Sequence, residues 1–206
     1  MKTYKIHLLR HGMTDGNLDG RYIGRTDLPL APEGLAALLE LKKKYDYPGA
    51  TRFFTSPLTR CRQTLEVLYP GCQPTPVEGL AECDFGDWEG RSLRELKADE
   101  RFLQWMEGRS TAIPGGESTE DFRQRVCAAF EEIVNGLIHD GDTEAVICTH
   151  GGVITLLMQL YSLPRLEPKE CLASAGQGFT LRVTPSVWMN EPLAEALCII
   201  PWEKEN

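Results

Sequence analysis

The feature that most constrains this fold is an apolar run at residues 4–9 that stops abruptly at Arg10-His11-Gly12. Short apolar runs bounded by turn residues are typical of buried strands. A glycine-containing loop follows and continues to residue 30, and long ordered loops in compact domains are more often functional than idle. In open α/β sheets, ligands bind beyond the carboxyl ends of the strands. The sequence therefore predicts a buried first strand that ends, at Arg10 and His11, beside a binding site.

Further apolar runs alternate with helical patterns along the rest of the chain. Strands are predicted at residues 4–9, 52–55, 75–80, 145–149, 179–183 and 196–200. Helices are predicted at residues 32–44, 56–68, 92–105, 118–141 and 153–161. In the first, Leu35, Leu38, Leu39 and Leu41 are expected to form a buried stripe. In the second, Ser56 is the expected N-cap and Pro57 the first helical residue. This alternation predicts an α/β fold of three layers, α/β/α, with a mostly parallel sheet and helices on both faces. One domain is expected over residues 1–206, with the last two strands antiparallel at a sheet edge.

Charge and cysteine usage exclude several classes of protein. The formal net charge is −8 with a pI near 5.1, which argues against attraction to nucleic acid or to an anionic membrane. Seven widely spaced cysteines without a Cys-x-x-Cys pair favour reduced thiols over a disulfide framework. The N-terminus does not resemble a secretion signal, and no apolar run is long enough to span a membrane. A cytoplasmic protein without a membrane or nucleic-acid partner is therefore expected, and its oligomeric state stays open.

Polar side chains follow four of the predicted strands. Arg10 and His11 follow the first, Arg60 lies in the first turn after the second, Glu82 follows the third, and His150 follows the fourth. Because the carboxyl ends of parallel strands meet at one edge of a sheet, we expect these five side chains in one pocket.

Two imidazoles, two guanidinium groups and a carboxyl group suit the transfer of a phosphoryl group. Arginine offers several fixed donors that match phosphate oxygens. One imidazole can attack phosphorus, and a second can stabilise charge in the transition state. A carboxylic acid can protonate the leaving oxygen and then deprotonate water. Backbone N–H groups near Gly12 and Gly151 would add donors, and this scheme requires no metal and no cofactor.

Simpler interpretations of some of these residues compete with the functional ones. His7 is expected to be structural or exposed at a sheet edge, and a zinc pair of His7 with His11 would need a helix where the pattern predicts a strand. Glu89 is a lesser alternative to Glu82 as the acid. Arg21 and Arg25 are candidates for a second anionic group of the substrate, and the role of Arg62 stays open. No P-loop is present, and Cys148 lacks the arginine of a cysteine phosphatase.

Five blocks of sequence resemble the histidine phosphatase superfamily, which includes the cofactor-dependent phosphoglycerate mutases. In chain order they are Arg10-His11-Gly12-x-Thr14-x-x-Asn17, Ser56-Pro57-Leu58-x-Arg60-x-x-Gln63-Thr64, Glu82-x-x-Phe85-Gly86-x-Trp88-Glu89-Gly90, Pro114-Gly115-Gly116-Glu117-Ser118 and Thr149-His150-Gly151-Gly152-Val153. The blocks keep the family's order and extend to about residue 160. The resemblance implies the family's phosphoglycerate-mutase-like fold.

The resemblance also implies roles for individual residues. It makes His11 the nucleophile that becomes phosphohistidine and Glu82 the general acid and base. It assigns contacts with the phosphoryl oxygens to Arg10, Asn17, Arg60 and His150, and we add Gly24 and Gly151 as expected phosphate-binding positions. Met13 departs from the glutamate of many members, at a position that the chemistry does not need.

The third block bears on the reaction that is catalysed. The mutase branch typically has Glu-x-x-Tyr-Gly and a longer insert, whereas this chain has Phe85 and a short insert, similar to α-ribazole-phosphatase-like and fructose-2,6-bisphosphatase-like members. A metal-independent phosphomonoesterase acting on a small phosphorylated metabolite is therefore favoured, with α-ribazole 5′-phosphate as a weak preference. A phosphoglycerate-mutase-type phosphotransferase and a non-catalytic phosphate-binding module are the alternatives.

Overall fold

The computed structural model describes residues 2–204. Its strands are β1 (Tyr4–Arg10), β2 (Tyr45–Asp46), β3 (Arg52–Thr55), β4 (Thr75–Pro76), β5 (Glu144–Thr149), β6 (Ser162–Leu163), β7 (Gly178–Val183), β8 (Ala194–Ile200) and β9 (Trp202–Glu203). Its α-helices are α1 (Asp15–Leu18), α2 (Pro32–Lys44), α3 (Thr59–Leu68), α4 (Leu93–Leu96), α5 (Glu100–Met106), α6 (Thr119–Asp140), α7 (Gly151–Tyr161) and α8 (Pro185–Trp188). Short 3₁₀ helices lie at Glu78–Leu80, Gly86–Trp88 and Pro168–Cys171. No helix of the described chain is both long and apolar enough to cross a membrane.

Seven strands form one sheet in the order β4-β3-β5-β1-β7-β8-β6, and β2 pairs with β9 in a separate ribbon. Strands β4, β3, β5 and β1 are parallel neighbours, whereas β7 lies antiparallel to both β1 and β8. The predicted α/β class and the antiparallel tail strands are confirmed. The tail strands do not merely border the sheet, because β7 lies directly beside the central strand β1. The parallel half carries the residues that were expected to converge.

Alternating side chains of β1 and β5 build a core on each face of the sheet. Ile6 and Leu8 pack with residues of α6 and α7 on one face, while Leu9 packs with residues of α2 and α3 on the other. These three side chains are fully buried. Each such burial stabilises the fold by about 1.5–3 kcal/mol, which explains why a short apolar run can anchor both helical layers.

The long helix α6 follows its sequence pattern closely. The Ser118 hydroxyl accepts a hydrogen bond from the Asp121 N–H at 3.0 Å and caps the first turn, and Gly141 ends the helix with φ of 79°. The predicted apolar face is buried: Phe122, Val126, Ala129, Phe130, Ile133 and Leu137. An N-cap hydroxyl and a left-handed glycine are the usual signals for the two ends of a helix.

The predicted apolar stripe of α2 is only partly correct. Leu38 is buried, but Leu35 and Leu39 are 41% and 51% exposed. The helix lies against the loop after β1 at Gly34, where a Cβ would lie 2.1 Å from the Met13 carbonyl oxygen. The contact stripe therefore follows the i, i+4 pair Gly34 and Leu38, and the flanking leucines face solvent.

Three other boundaries differ from the prediction. Helix α3 begins at Thr59 because Asp27 of the long loop, not Ser56, accepts its first N–H at 2.7 Å. The segment predicted as a strand over 75–80 is a strand only at Thr75–Pro76 and then turns into the 3₁₀ helix. The segment 92–105 is broken into α4 and α5, since Asp99 caps a new helix start. At the starts of α3 and α5, an aspartate side chain accepts a backbone N–H and so sets a helix boundary that differs from the predicted one.

Candidate active site

The carboxyl edge of the parallel strands brings the predicted side chains together. His11 follows β1, His150 follows β5, and Arg60 lies in the first turn of α3. Glu82 follows the 3₁₀ helix after β4, and Arg10 is the last residue of β1. The two imidazole rings lie 5.0 Å apart between centroids, and all of these side chains except the partly buried Arg10 are less than 9% exposed.

The tautomer of His11 is fixed by the backbone. Its Nδ1 lies 2.6 Å from the Gly12 carbonyl oxygen, which can only accept a hydrogen bond, so Nδ1 carries the proton and Nε2 carries the lone pair. Burial, reinforced by the charge of Arg60, lowers the pKa of His11 to about 3. The Gly12 N–H in turn donates to the Thr64 hydroxyl at 2.9 Å, which helps to hold Gly12 in place. His11 is therefore neutral and oriented at pH 7, which is the state that a nucleophilic imidazole requires.

Arg60 uses part of its donor capacity for orientation and leaves the rest free. Nη2 donates to the Gly24 carbonyl at 2.7 Å, Nη1 donates to the Thr26 carbonyl at 2.9 Å, and Nε donates to His150 Nδ1 at 3.3 Å. Since a guanidinium group has five N–H donors, two remain for a phosphoryl group. Burial lowers the pKa of Arg60, but an arginine side chain remains charged in a protein.

Arg10 also presents an unused donor. Its Nη1 donates to the Ala173 carbonyl at 2.7 Å, whereas its buried Nε has no hydrogen-bond partner among the described residues. Buried polar atoms without a partner are rare and call for an explanation. An anion bound beside His11 would supply the missing acceptor.

The contacts of His150 define its resting state. Nδ1 accepts from Arg60, so the ring proton lies on Nε2 and is donated to the Ser56 hydroxyl at 2.7 Å. Burial, followed by the influence of His11 and Arg60, lowers the pKa of His150 well below its ordinary value. The ring is neutral and held from both sides, with the Cys61 sulfur 3.6 Å from Nε2.

Glu82 is buried and hydrogen-bonded by two backbone groups. Its Oε1 accepts from the Cys83 N–H and its Oε2 from the Gly152 N–H, both at 3.0 Å. Burial raises the pKa of Glu82 above its ordinary value, although these hydrogen bonds and the nearby arginines oppose the shift. A carboxyl group in this setting can hold a proton at a pH where an exposed glutamate has lost it.

The backbone that carries Glu82 is clamped by two residues that the sequence analysis did not single out. Arg125 of α6 donates to the carbonyls of Gly79, Ala81 and Glu82 at 2.7–3.0 Å. It also makes a bidentate ion pair with Glu117, at 2.6 and 2.8 Å. Glu117 belongs to the fourth sequence block, so its motif signalled importance, but nothing local signalled Arg125.

The remaining predicted positions lie around this centre with other contacts. Asn17 caps α1 with Thr14, and Gly151 lies beside Arg10, with an ideal Cβ 3.4 Å from the guanidinium carbon. Gly24 is enclosed by protein groups on both its N–H and its carbonyl.

The arginines of uncertain role differ from one another. Arg21 is engaged by Asp19 and the Gly90 carbonyl, and Arg62 donates to the Thr59 hydroxyl. The Arg25 side chain, in the loop beside the site, makes no hydrogen bond or ion pair within residues 2–204. Its charge contributes to lowering the pKa of Glu117.

Glu89 is wrong as the alternative acid. Its carboxylate already accepts hydrogen bonds from Gly24, Arg25, Thr26 and Phe85. A carboxylate whose two oxygens are both occupied by these donors has no open position for a leaving oxygen. The described residues contain no cluster of three or more His, Cys, Asp or Glu side chains placed to hold a metal ion.

Comparisons with known proteins show which family this chain resembles. The family model described as "Histidine phosphatase superfamily (branch 1)" matches residues 6–173. The adenosylcobalamin/alpha-ribazole phosphatase of Salmonella typhimurium is 30% identical over 168 residues, which cover 78% of this chain and 81% of that protein. A 2,3-bisphosphoglycerate-dependent phosphoglycerate mutase of Bradyrhizobium is 29% identical over 176 residues, covering 80% and 83%. The structure of TTHB049 from Thermus thermophilus superposes with a TM-score of 0.69 over 98% of both chains, at 29% identity.

Proposed function

The chain belongs to the histidine phosphatase superfamily, and from this premise we propose that it is a metal-independent phosphomonoesterase that works through a phosphohistidine at His11. The observation that carries this proposal is the hydrogen bond from His11 Nδ1 to the Gly12 carbonyl. It leaves Nε2 as a neutral nucleophile, and the two arginines whose charges act on His11 each retain unused donors. This is the arrangement that covalent phosphoryl transfer requires.

The first step forms the phosphoenzyme. His11 Nε2 attacks phosphorus while the bond from phosphorus to the ester oxygen breaks, and that oxygen takes the proton of the Glu82 carboxyl group. Arg10 and Arg60 donate to the non-bridging oxygens, where negative charge is concentrated. For His150 to donate there as well, its Nδ1 must give up the hydrogen bond from Arg60 and take a proton from the solvent, which the arriving phosphate dianion favours.

The second step returns the enzyme to its starting state. The Glu82 carboxylate takes a proton from water, the water oxygen attacks phosphorus, and the bond from phosphorus to Nε2 breaks. Inorganic phosphate leaves, and Glu82 is protonated again. Every group that moves a proton or holds charge in this cycle belongs to the protein, so EDTA is expected to leave turnover unchanged.

An aromatic cluster beside the site supports a substrate with a planar ring. Phe85 lies against Gly24, where an ideal Cβ would lie 2.9 Å from its ring. Tyr22 and Trp105 pack edge-on against Phe85, with centroids 5.3 and 6.0 Å away, and all three rings are partly exposed. Such a wall suits the heteroaromatic group of α-ribazole 5′-phosphate better than the small carboxylate of phosphoglycerate. We therefore favour the former as substrate.

The test is phosphate release in EDTA from a panel of esters by wild type, His11→Ala and the control His139→Ala, which removes an exposed histidine at the end of α6. The panel holds α-ribazole 5′-phosphate, 3-phosphoglycerate, fructose 2,6-bisphosphate, nucleotides and p-nitrophenyl phosphate. Release by wild type and by His139→Ala, but not by His11→Ala, is expected. Full activity of His11→Ala would refute the proposed nucleophile.

The same panel separates the alternatives. Interconversion of 3-phosphoglycerate and 2-phosphoglycerate without net phosphate release would establish the mutase. No turnover of any ester, together with measurable vanadate binding, would establish a phosphate-binding module.

A further inference from the structure

The Glu89 carboxylate is the centre of a dense set of hydrogen bonds. It accepts from three consecutive backbone N–H groups, those of Gly24 at 3.0 Å, Arg25 at 2.9 Å and Thr26 at 3.3 Å. The Phe85 N–H at 3.2 Å and the Thr26 hydroxyl at 2.6 Å complete the set. Hydrogen bonds to a charged acceptor are roughly twice as strong as neutral ones, so this carboxylate fixes the backbone of residues 24–26 firmly.

The opposite side of residues 24–26 faces Arg60. The carbonyls of Gly24 and Thr26 accept two of the three hydrogen bonds that orient the guanidinium group. This three-residue segment thus lies between Glu89 and Arg60. Its N–H groups donate to Glu89, and the carbonyls of its first and last residues accept from Arg60.

Close packing leaves the segment little freedom. A Cβ at Gly24 would lie 1.8 Å from the Cys83 carbonyl oxygen and 2.5 Å from Glu89 Oε1. The segment also continues into Asp27, whose carboxylate accepts the Thr59 N–H at 2.7 Å and so fixes the start of the helix that carries Arg60.

We propose that Glu89 is a positioning residue for Arg60, acting through the backbone of residues 24–26 to aim two guanidinium N–H groups at the phosphoryl oxygens. This inference rests on the proposed function, because it gives Arg60 a phosphoryl group to contact. Glu89 itself touches no reacting atom and transfers no proton.

Glu89→Gln is the direct perturbation. The amide keeps the size of the side chain but turns one acceptor into an N–H₂ group that faces N–H donors, so residues 24–26 must shift. A misplacement of about 1 Å in a group that positions the substrate costs about 10²-fold in rate. We expect kcat/KM to fall by about that factor for alkyl phosphates and for p-nitrophenyl phosphate alike, because contact with non-bridging oxygens does not depend on the leaving group. Vanadate binding should weaken as well.

A double-mutant cycle with Arg60→Lys tests whether Glu89 acts through Arg60. Lysine lacks the planar guanidinium group that can donate to the carbonyls of Gly24 and Thr26 and to the phosphoryl group at the same time. The loss caused by Glu89→Gln should therefore shrink to less than about 3-fold in the Arg60→Lys background, which is the non-additivity expected for two residues of one unit. Glu95→Gln is the matched control, since it removes an exposed carboxylate that caps α4 without touching the loop. It should leave kcat/KM and the vanadate dissociation constant unchanged.

Three results would overturn the proposal: an equal loss in both backgrounds, a loss confined to esters with poor leaving groups, or unchanged vanadate affinity in Glu89→Gln. If Glu89→Gln fails to fold, Thr26→Val removes only the hydroxyl contact at 2.6 Å and should give a smaller loss that is again coupled to Arg60. If wild type turns over no ester, the proposed function fails on its own. The cycle measured by vanadate binding then still decides whether Glu89 positions Arg60.

Discussion

Gly152→Ala is expected to disable Glu82, the proposed general acid, without unfolding the protein. Gly152 lies in the first turn of α7, and its N–H donates to Glu82 at 3.0 Å. An alanine Cβ there would lie 2.5 Å from Glu82 Oε1 and 3.3 Å from Oε2. The backbone of Gly152 does not occupy the left-handed region, so an alanine can adopt this backbone conformation. Its Cβ, however, would clash with the Glu82 carboxylate. Glu82 must therefore move.

The size of that movement sets the expected loss of rate. Ordinary contact begins near 3.4 Å, so the oxygen must retreat by about 0.9 Å, and a displacement of this size at a reacting group costs about 10²-fold. An alkyl phosphate, whose leaving oxygen needs a proton, should lose about that factor in the rate of phosphoenzyme formation. p-Nitrophenyl phosphate, whose leaving group needs little protonation, should lose less than about 5-fold in the same step. Stability should not fall much, because alanine is favoured over glycine in a helix by up to about 1 kcal/mol.

Rapid-quench measurement of the phosphoenzyme separates this step from its hydrolysis, in which Glu82 acts as the base for every substrate. Gly136→Ala in α6 is the control, since its Cβ would meet no atom within 4 Å. This control should unfold at a slightly higher urea concentration and keep wild-type rates with both esters. Equal slowing of both esters by Gly152→Ala, or no slowing of the alkyl ester, would refute the assignment of Glu82 as the acid.

Two further predictions concern the histidines. Because burial lowers the pKa of His11 to about 3, the unfolded state binds more protons below pH 6.5, and stability should fall as pH falls toward 3. From pH 7.5 to pH 5 this group alone removes about 2 kcal/mol, so urea titrations of His11→Gln should show a correspondingly weaker dependence on pH. Ser56→Ala should cost about 1–3 kcal/mol in urea denaturation because it removes the acceptor of both the His150 Nε2 proton and the Leu58 N–H, and unchanged stability would contradict these two contacts.

The main residues of the candidate site were predictable because they depend on local patterns. His11 and His150 each end an apolar run that is too short for anything but a strand, and strands that alternate with helices are parallel neighbours. Such strands deliver their carboxyl ends to one edge, so four separate segments could be placed together without knowledge of any contact. The confirmed parallel pairing of β1, β3 and β5 is what made this inference valid.

The supporting residues were not predictable in the same way. The misplaced start of α3 shows why, since Ser56 matches the N-cap pattern but its hydroxyl contacts the Leu58 N–H, just before the helix, and His150, 94 positions later. Asp27 caps that helix from the long loop, and Arg125 holds the Glu82 backbone from 43 or more positions away. Propensity and spacing depend on a residue's neighbours in the chain, whereas these hydrogen-bond partners are brought together by the tertiary fold.

Burial alone favours opposite protonation states for His11, the proposed nucleophile, and Glu82, the proposed acid. Removal from water disfavours whichever form is charged, so it lowers the pKa of His11 and raises the pKa of Glu82. The same enclosure thus leaves the nucleophile unprotonated and favours a protonated acid, which is the combination that the first step needs. Arg10 and Arg60 cannot respond by losing charge in this way, so they remain as fixed positive charge in a chain whose net charge is −8. These two arginines therefore place positive charge at the pocket of a chain that is negative overall, which favours a phosphate dianion at that point.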